Sequence, residues 1–318
     1  MKKQTSILLA ASLLAAVPGT SINAGETYTI GICQYVQHEA LDLATEGFRD
    51  ALTEALGDRV TFDEQNAQGD SATCATIING LIANEVDLIL ANATTALQAA
   101  VTGTADIPIL GTSVTEYGAA LQIEDFSGTV GGNVSGTSDL APLDVQAAMV
   151  KELFPEAQKV ALLYCSAEPN SEYQVTVVQQ ELEALGFTAE RYSFADSYDI
   201  STVTMAAASE CDVIYVPTDN MVASNAELIA NICVPEKIPV IAGEENSCKR
   251  CGVATFSIDY YDLGYVTGQM AVRVLEENED ISAMPVEYAQ HFTKLYNESL
   301  CRELGIEVPE DYEALATE

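Results

Sequence analysis

Short β-branched runs alternate with amphipathic stretches along most of the chain, the pattern of parallel α/β units. In the first half, strands are predicted at 28–35, 60–65, 87–91 and 107–113, with helices at 39–56, 71–84 and 95–102 between them. The helical period is clearest over 39–56, where Leu43, Gly47, Phe48, Ala51, Leu52 and Ala55 recur on one face.

The second half repeats the order. Helix 142–153 leads to strands at 159–165, 188–194, 212–216 and 238–242, separated by helices at 171–185, 200–208 and 223–232. Local sequence echoes as well: Asp87-Leu-Ile-Leu parallels Asp212-Val-Ile-Tyr, and Ile107-Pro-Ile-Leu-Gly parallels Ile238-Pro-Val-Ile-Ala-Gly. A strand at 252–258 and a helix at 261–277 follow, then a strand at 286–288 and a helix at 298–304. Such a tail lets the chain cross back and build a hinge. The expected fold class is therefore α/β, with two similar lobes of parallel sheet. Residues 25–138 and 259–285 form the first lobe, and 139–258 and 286–318 the second. The glycine-rich stretch 128–136 reads as a flexible crossover.

The first residues decide the compartment. Lys2 and Lys3 precede an apolar run over 7–17, then Pro18, Gly19 and small residues up to Ala24. That is the order of a secretory signal peptide, expected to span 1–24, and the run is too short to cross a bilayer. An exported protein is expected, without a lipid-anchor cysteine near the leader. Net charge is −35, a surface that repels phosphate backbones and anionic lipid, so nucleic-acid and membrane-surface roles are poor fits. Eight cysteines in an oxidising compartment suggest disulfides, with idle thiols as the alternative. Cys248-Lys-Arg-Cys251 also admits a redox reading, with Lys249 and Arg250 lowering a thiol pKa. A zinc site lacks a second ligand pair, because His38 and His291 are the only histidines.

In open parallel sheets, ligands bind beyond the carboxyl ends of the strands. Those ends carry the candidate site residues Gln34, Tyr35, His38, Asn92, Thr94, Thr95, Ser113, Thr115, Tyr117, Ser166, Glu168, Asn170, Ser171, Asp219, Asn220 and Glu244. Each alone is better explained by helix capping than by ligand contact; seven such loops converging on one cleft point to binding. No nucleophile motif accompanies the two histidines, and no glycine-rich nucleotide fingerprint follows a strand. Neither catalysis nor a cofactor is expected.

Six motifs occur in order. They are Gln34-Tyr-Val-Gln-His38-Glu-Ala-Leu41-Asp42, Asn66-Ala-Gln-Gly-Asp70, Asn133-Val-Ser-Gly-Thr-Ser-Asp139, Glu168-Pro-Asn-Ser171, Val216-Pro-Thr-Asp219-Asn220 and Ile258-Asp-Tyr-Tyr-Asp-Leu-Gly264. The set resembles the ABC-transporter substrate-binding family that includes the tryptophan and tyrosine binders, with the type I periplasmic binding fold. The likeness runs from about Tyr28 to about Pro309. It implies two Rossmann-like lobes, a three-crossover hinge and a cleft closing on an aromatic or other amino acid. It also implies a membrane permease and an ATPase as partners. A monomer is expected. Where the family commonly has a Thr-Asp-Pro turn, this chain has Thr115-Glu116-Tyr117.

For an amino acid, the ligand carboxylate is expected at Thr94–Thr95. The ammonium is expected against a carboxylate of the other lobe, Asp219 first and Glu168 or Glu244 next, with Tyr35 and Tyr117 stacking on a ring. A sensing lobe for a signalling receptor, or a purine, sugar or peptide ligand, stays open.

Overall fold

The computed structural model describes residues 26–316, so the expected leader lies outside the described residues. The first sheet takes β1 (Tyr28–Gln34), β2 (Val60–Asn66), β3 (Leu88–Asn92), β4 (Ile109–Val114) and β5 (Val134–Ser138). Between these strands lie α1 (Glu39–Leu56), α2 (Ser71–Ala83), α3 (Thr94–Gly103) and the short α4 (Tyr117–Leu121).

The second lobe starts with α5 (Leu143–Leu153). It continues through β6 (Lys159–Cys165), α6 (Pro169–Ala184), β7 (Thr188–Phe194), α7 (Ile200–Glu210) and β8 (Val213–Val216). Then follow α8 (Asn220–Ser224), α9 (Ala226–Glu236), β9 (Val240–Ala242), α10 (Glu245–Arg250) and β10 (Ala254–Ser257). The chain returns to the first lobe for α11 (Tyr260–Glu276) and β11 (Glu287–Tyr288). It finishes in the second with β12 (Thr293–Tyr296), α12 (Glu298–Leu304) and β13 (Glu313–Ala314).

Strand order is β11-β5-β4-β3-β1-β2 in one sheet and β13-β12-β10-β9-β8-β6-β7 in the other. Neighbours are parallel except β10 and β12. Side-chain alternation loads both faces of each sheet. Ile30, Ile32, Leu88 and Leu90 pack against Phe48, Leu52 and Met270 of α1 and α11, while Ile89 and Ala91 face Ile77, Leu81 and Leu97. In the second sheet Leu162 and Tyr215 face α5 and α6, and Leu163 and Ile214 face α7 and α9. Helices α1 and α11 approach so closely that a Cβ at Gly264 would lie 1.9 Å from the Ala44 carbonyl oxygen.

The chain crosses between sheets after β5, after β10 and after β11, the expected three-crossover arrangement. Two details differ from the sequence reading. The stretch 128–136 is not wholly a crossover: Val134–Ser138 is a fully buried strand paired to β4, and the crossover starts at Asp139. Glu287 and Tyr288 pair with Thr137 and Ser138, so the first sheet extends past the division expected at 286.

All eight cysteines are buried free thiols, so no disulfide joins any of them. They act as small apolar groups of the cores. The redox reading of Cys248 and Cys251 is corrected too: burial pushes both thiols up rather than down, which disfavours the thiolate.

Candidate binding cleft

Parallel pairing brings the carboxyl ends of β1, β3, β4 and β5 to one edge of the first sheet, and those of β6, β8 and β9 to one edge of the second. The two edges face each other. His38 Nε2, at the start of α1, lies 3.1 Å from Asn220 Oδ1 at the start of α8. Lys249 Nζ of α10 lies 2.5 Å from Glu39 Oε1 of α1. The lobes are therefore in contact across the cleft.

On the first lobe, Gln34 and Asn92 are tied to α1. The Thr45 hydroxyl donates to Gln34 Oε1 at 2.7 Å, and Asn92 Nδ2 donates to the Leu41 carbonyl at 2.8 Å. The next residues are unusual. Ala93 and Ser113, both buried non-glycine residues on adjacent strand tips, hold φ of 87° and 52°. Backbone in that region is strained for a side-chain-bearing residue and concentrates at functional sites. Ala93 is also the N-cap of α3 and offers no side-chain acceptor. The first-turn N–H groups of α3 are thus left open beside buried Thr94, and the Ser113 hydroxyl has no partner. Open helix N–H groups with a free hydroxyl suit an anion such as a carboxylate.

The second lobe and the crossover contribute acids. Glu168, Asp219, Glu244 and Asp139 are each at most 4% exposed, and no ion pair among the described residues includes any of them. Burial raises the pKa of all four. Glu168 is pushed up to about 8, by burial first and then by the neighbouring Asp219 charge. Asp139 rises to about 6 through burial, with the Thr115 and Tyr260 hydroxyls opposing the rise and the Glu244 charge adding to it. Asp219 and Glu244 are raised by burial and held back by backbone N–H groups.

Their hydrogen bonds separate them. Asp219 accepts from Cys165 N at 2.7 Å and Val222 N at 2.8 Å, one bond to each oxygen. Glu244 caps α10 through Asn246 N at 2.6 Å and Ser247 N at 2.5 Å. Glu168 accepts from Met221 N on one oxygen, and from Asn220 and Asn170 on the other. The three acids expected to meet an ammonium thus already serve the local backbone.

The remaining expected residues divide. Thr115, Asn170 and Ser171 are buried at strand tips, Thr95 is half-buried, and Asn170 Nδ2 donates to the Thr218 carbonyl at 3.1 Å. Ser166 is exposed and its hydroxyl bonds the Phe194 carbonyl. Tyr35 is buried, with its hydroxyl on the Gly69 carbonyl at 3.0 Å. Tyr117 does not present its ring to the cleft. It stacks on Phe126 and donates to the Thr137 carbonyl inside the first-lobe core, in the space that Gly111 and Gly136 leave.

The sequence reading passed over Asp139, Tyr260 and Lys249 as candidates. Asp139 follows a strand hidden in a glycine-rich run, although it ends one of the six motifs. A cavity of about 160 Å³ lies between the lobes beside Glu39, Glu244, Lys249 and Tyr260. A larger, mostly apolar one of about 610 Å³ runs along α11 and the third crossover. Strand-tip chemistry points to the interlobe region rather than to that larger cavity.

Residues 29–318 match the family model for ABC transporter substrate binding protein. A tyrosine-binding protein of Clostridioides difficile (strain R20291) is 34% identical over 281 residues, covering 87% of this chain and 81% of that protein. A solved ABC domain from Streptococcus pneumoniae in complex with L-Trp superposes with TM-score 0.85 at 33% identity, covering 90% of this chain and 97% of that one. The ligand-free, open structure of a substrate binding protein with adhesive properties from Clostridium difficile gives TM-score 0.70 at 35% identity, over 92% and 100%. With the fold, the facing strand tips and the matched family model agreeing, the chain belongs to the ABC transporter substrate binding protein family.

Proposed function

We propose that this chain captures an aromatic amino acid between its lobes, outside the cytoplasm, and delivers it to a membrane permease driven by an ATPase. The observation that carries this reading is the charge arrangement of the cleft. One wall offers open helix N–H groups and a free hydroxyl, while the opposite wall and the crossover hold buried acids without a cation. A zwitterion complements both sides. Burying it is favourable only when each charge finds its partner.

The relatives support the side-chain class, since one is named for tyrosine and another was solved with L-Trp. The shape is also nearer to that complex than to the open, ligand-free relative, although the two identities are similar. This agrees with the contacts between the lobes. Closure is then selected by the ligand, because only the closed form lets both walls touch it. The protein acts by stoichiometric binding and leaves its ligand unchanged.

A thermal-shift screen of amino acids, purines and sugars tests the reading. At a hundredfold excess over Kd, a ligand of the folded state adds about 2.7 kcal/mol of stability. L-tyrosine or L-tryptophan is expected to raise the melting temperature. A shift by purines or sugars alone would refute the substrate class.

A further inference from the structure

We propose that Asp139 receives the α-ammonium of the ligand, and that it makes lobe closure selective for an amine cation. This deepens the amino-acid reading and rests on it.

Four acids are buried near the strand tips, but only one has an oxygen to spare. Asp219, Glu244 and Glu168 use both oxygens on N–H donors of their own lobe. In Asp139, Oδ2 accepts from the Tyr260 hydroxyl at 3.0 Å, while Oδ1, with the Thr115 hydroxyl nearby, makes no hydrogen bond although the residue is 4% exposed. A buried carboxylate oxygen left unpaired is unfavourable, and an ammonium N–H satisfies both its charge and its hydrogen bond.

Position agrees. Asp139 follows β5 where the chain leaves the first sheet, and β5 lies two strands from β3, whose end leads into the open N-terminus of α3. Two interstrand steps are about 9.5 Å. An α-amino acid spans about 3 Å from ammonium nitrogen to carboxylate oxygen. A hydrogen bond of about 2.9 Å at each end brings the reach to nearly the same length.

The titratable groups facing Asp139 are Tyr117 of α4, Tyr260 of α11 and Glu244 at the tip of β9. None supplies a positive charge. In this structure the charge of Glu244 from the opposite sheet acts on Asp139, and a cation between them offsets the repulsion. A ligand without an amine leaves that repulsion standing, so it is rejected at closure and not only at contact.

Affinities of the full chain for L-tryptophan and for indole-3-propanoate, which lacks only the amine, test the assignment. The wild type is expected to prefer L-tryptophan by about 100-fold or more, as for a site left with an unpaired buried polar group. Asp139→Asn is expected to cut that preference below about 10-fold, with indole-3-propanoate bound about as before. An unchanged preference overturns the proposal.

If Asp139→Asn fails to fold, the wild type decides through the side-chain ¹³Cγ signal of Asp139. Saturating L-tryptophan is expected to lower its titration midpoint by more than about one pH unit, and indole-3-propanoate is expected not to. Equal midpoints with both ligands overturn the proposal. A wild type that binds no amino acid refutes instead the function on which it rests.

Discussion

Lys249 Nζ lies 2.5 Å from Glu39 Oε1 and 3.0 Å from Glu245 Oε1, so one ammonium ties α10 of the second lobe both to itself and to α1 of the first. The pair with Glu39 joins the two lobes in this structure. With both side chains about one-third exposed or less, its worth is that of a partly screened pair.

Lys249→Ala should therefore weaken ligand binding by about two- to fivefold, through loss of the closed state. The difference from wild type should shrink as salt rises, because screening removes the same term. Titrations at low and high ionic strength read both effects.

Glu168 makes stability depend on pH in an unusual direction. Its folded pKa of about 8 lies above the unfolded value of about 4.3. Across that window the folded state holds the extra proton, so the group's contribution is present at low pH and is lost as pH rises towards 8. Melting temperature should fall between pH 5 and 8 in the ligand-free protein. Glu168→Gln should flatten that slope, and an equally steep fall in the variant would remove Glu168 as the cause.

Ser113 offers a separation of stability from binding. Its hydroxyl is buried and without a partner, so Ser113→Ala should leave the ligand-free melting temperature unchanged or slightly raised. If the hydroxyl meets the ligand carboxylate, the same variant should lose affinity by about three- to tenfold. A variant that melts lower and binds normally would assign the hydroxyl to structure alone.

Much of the fold was legible because the physical signal was local. Strand Lys159–Cys165 and helix Glu39–Leu56 match their sequence patterns, since double-sided burial and a helical apolar stripe write themselves into the chain. Helices α4 and α10 escaped notice because Glu116 and Glu244 cap them, where Ser, Thr, Asp or Asn would be the usual signal. β5 was hidden by the glycines before it.

The facing strand-tip loops were legible in the sequence, but the atoms they present were not. Asp219 stands at a strand tip, yet both of its oxygens are taken, one of them by Cys165 N, more than fifty residues away. Tyr117 likewise sits at a strand tip, and only the space beside Gly111 and Gly136 sends its ring inward. Residue type and position along the chain do not encode those directions.

The most direct test of the account uses the absence of tryptophan from the chain. Bound L-tryptophan would fluoresce against a tyrosine-only background, and L-tyrosine should displace it. The account predicts a saturable emission change at one ligand per chain, reversed by competition. No saturable change with either amino acid, in a protein that is folded and stabilised by a sugar or a purine, would contradict it.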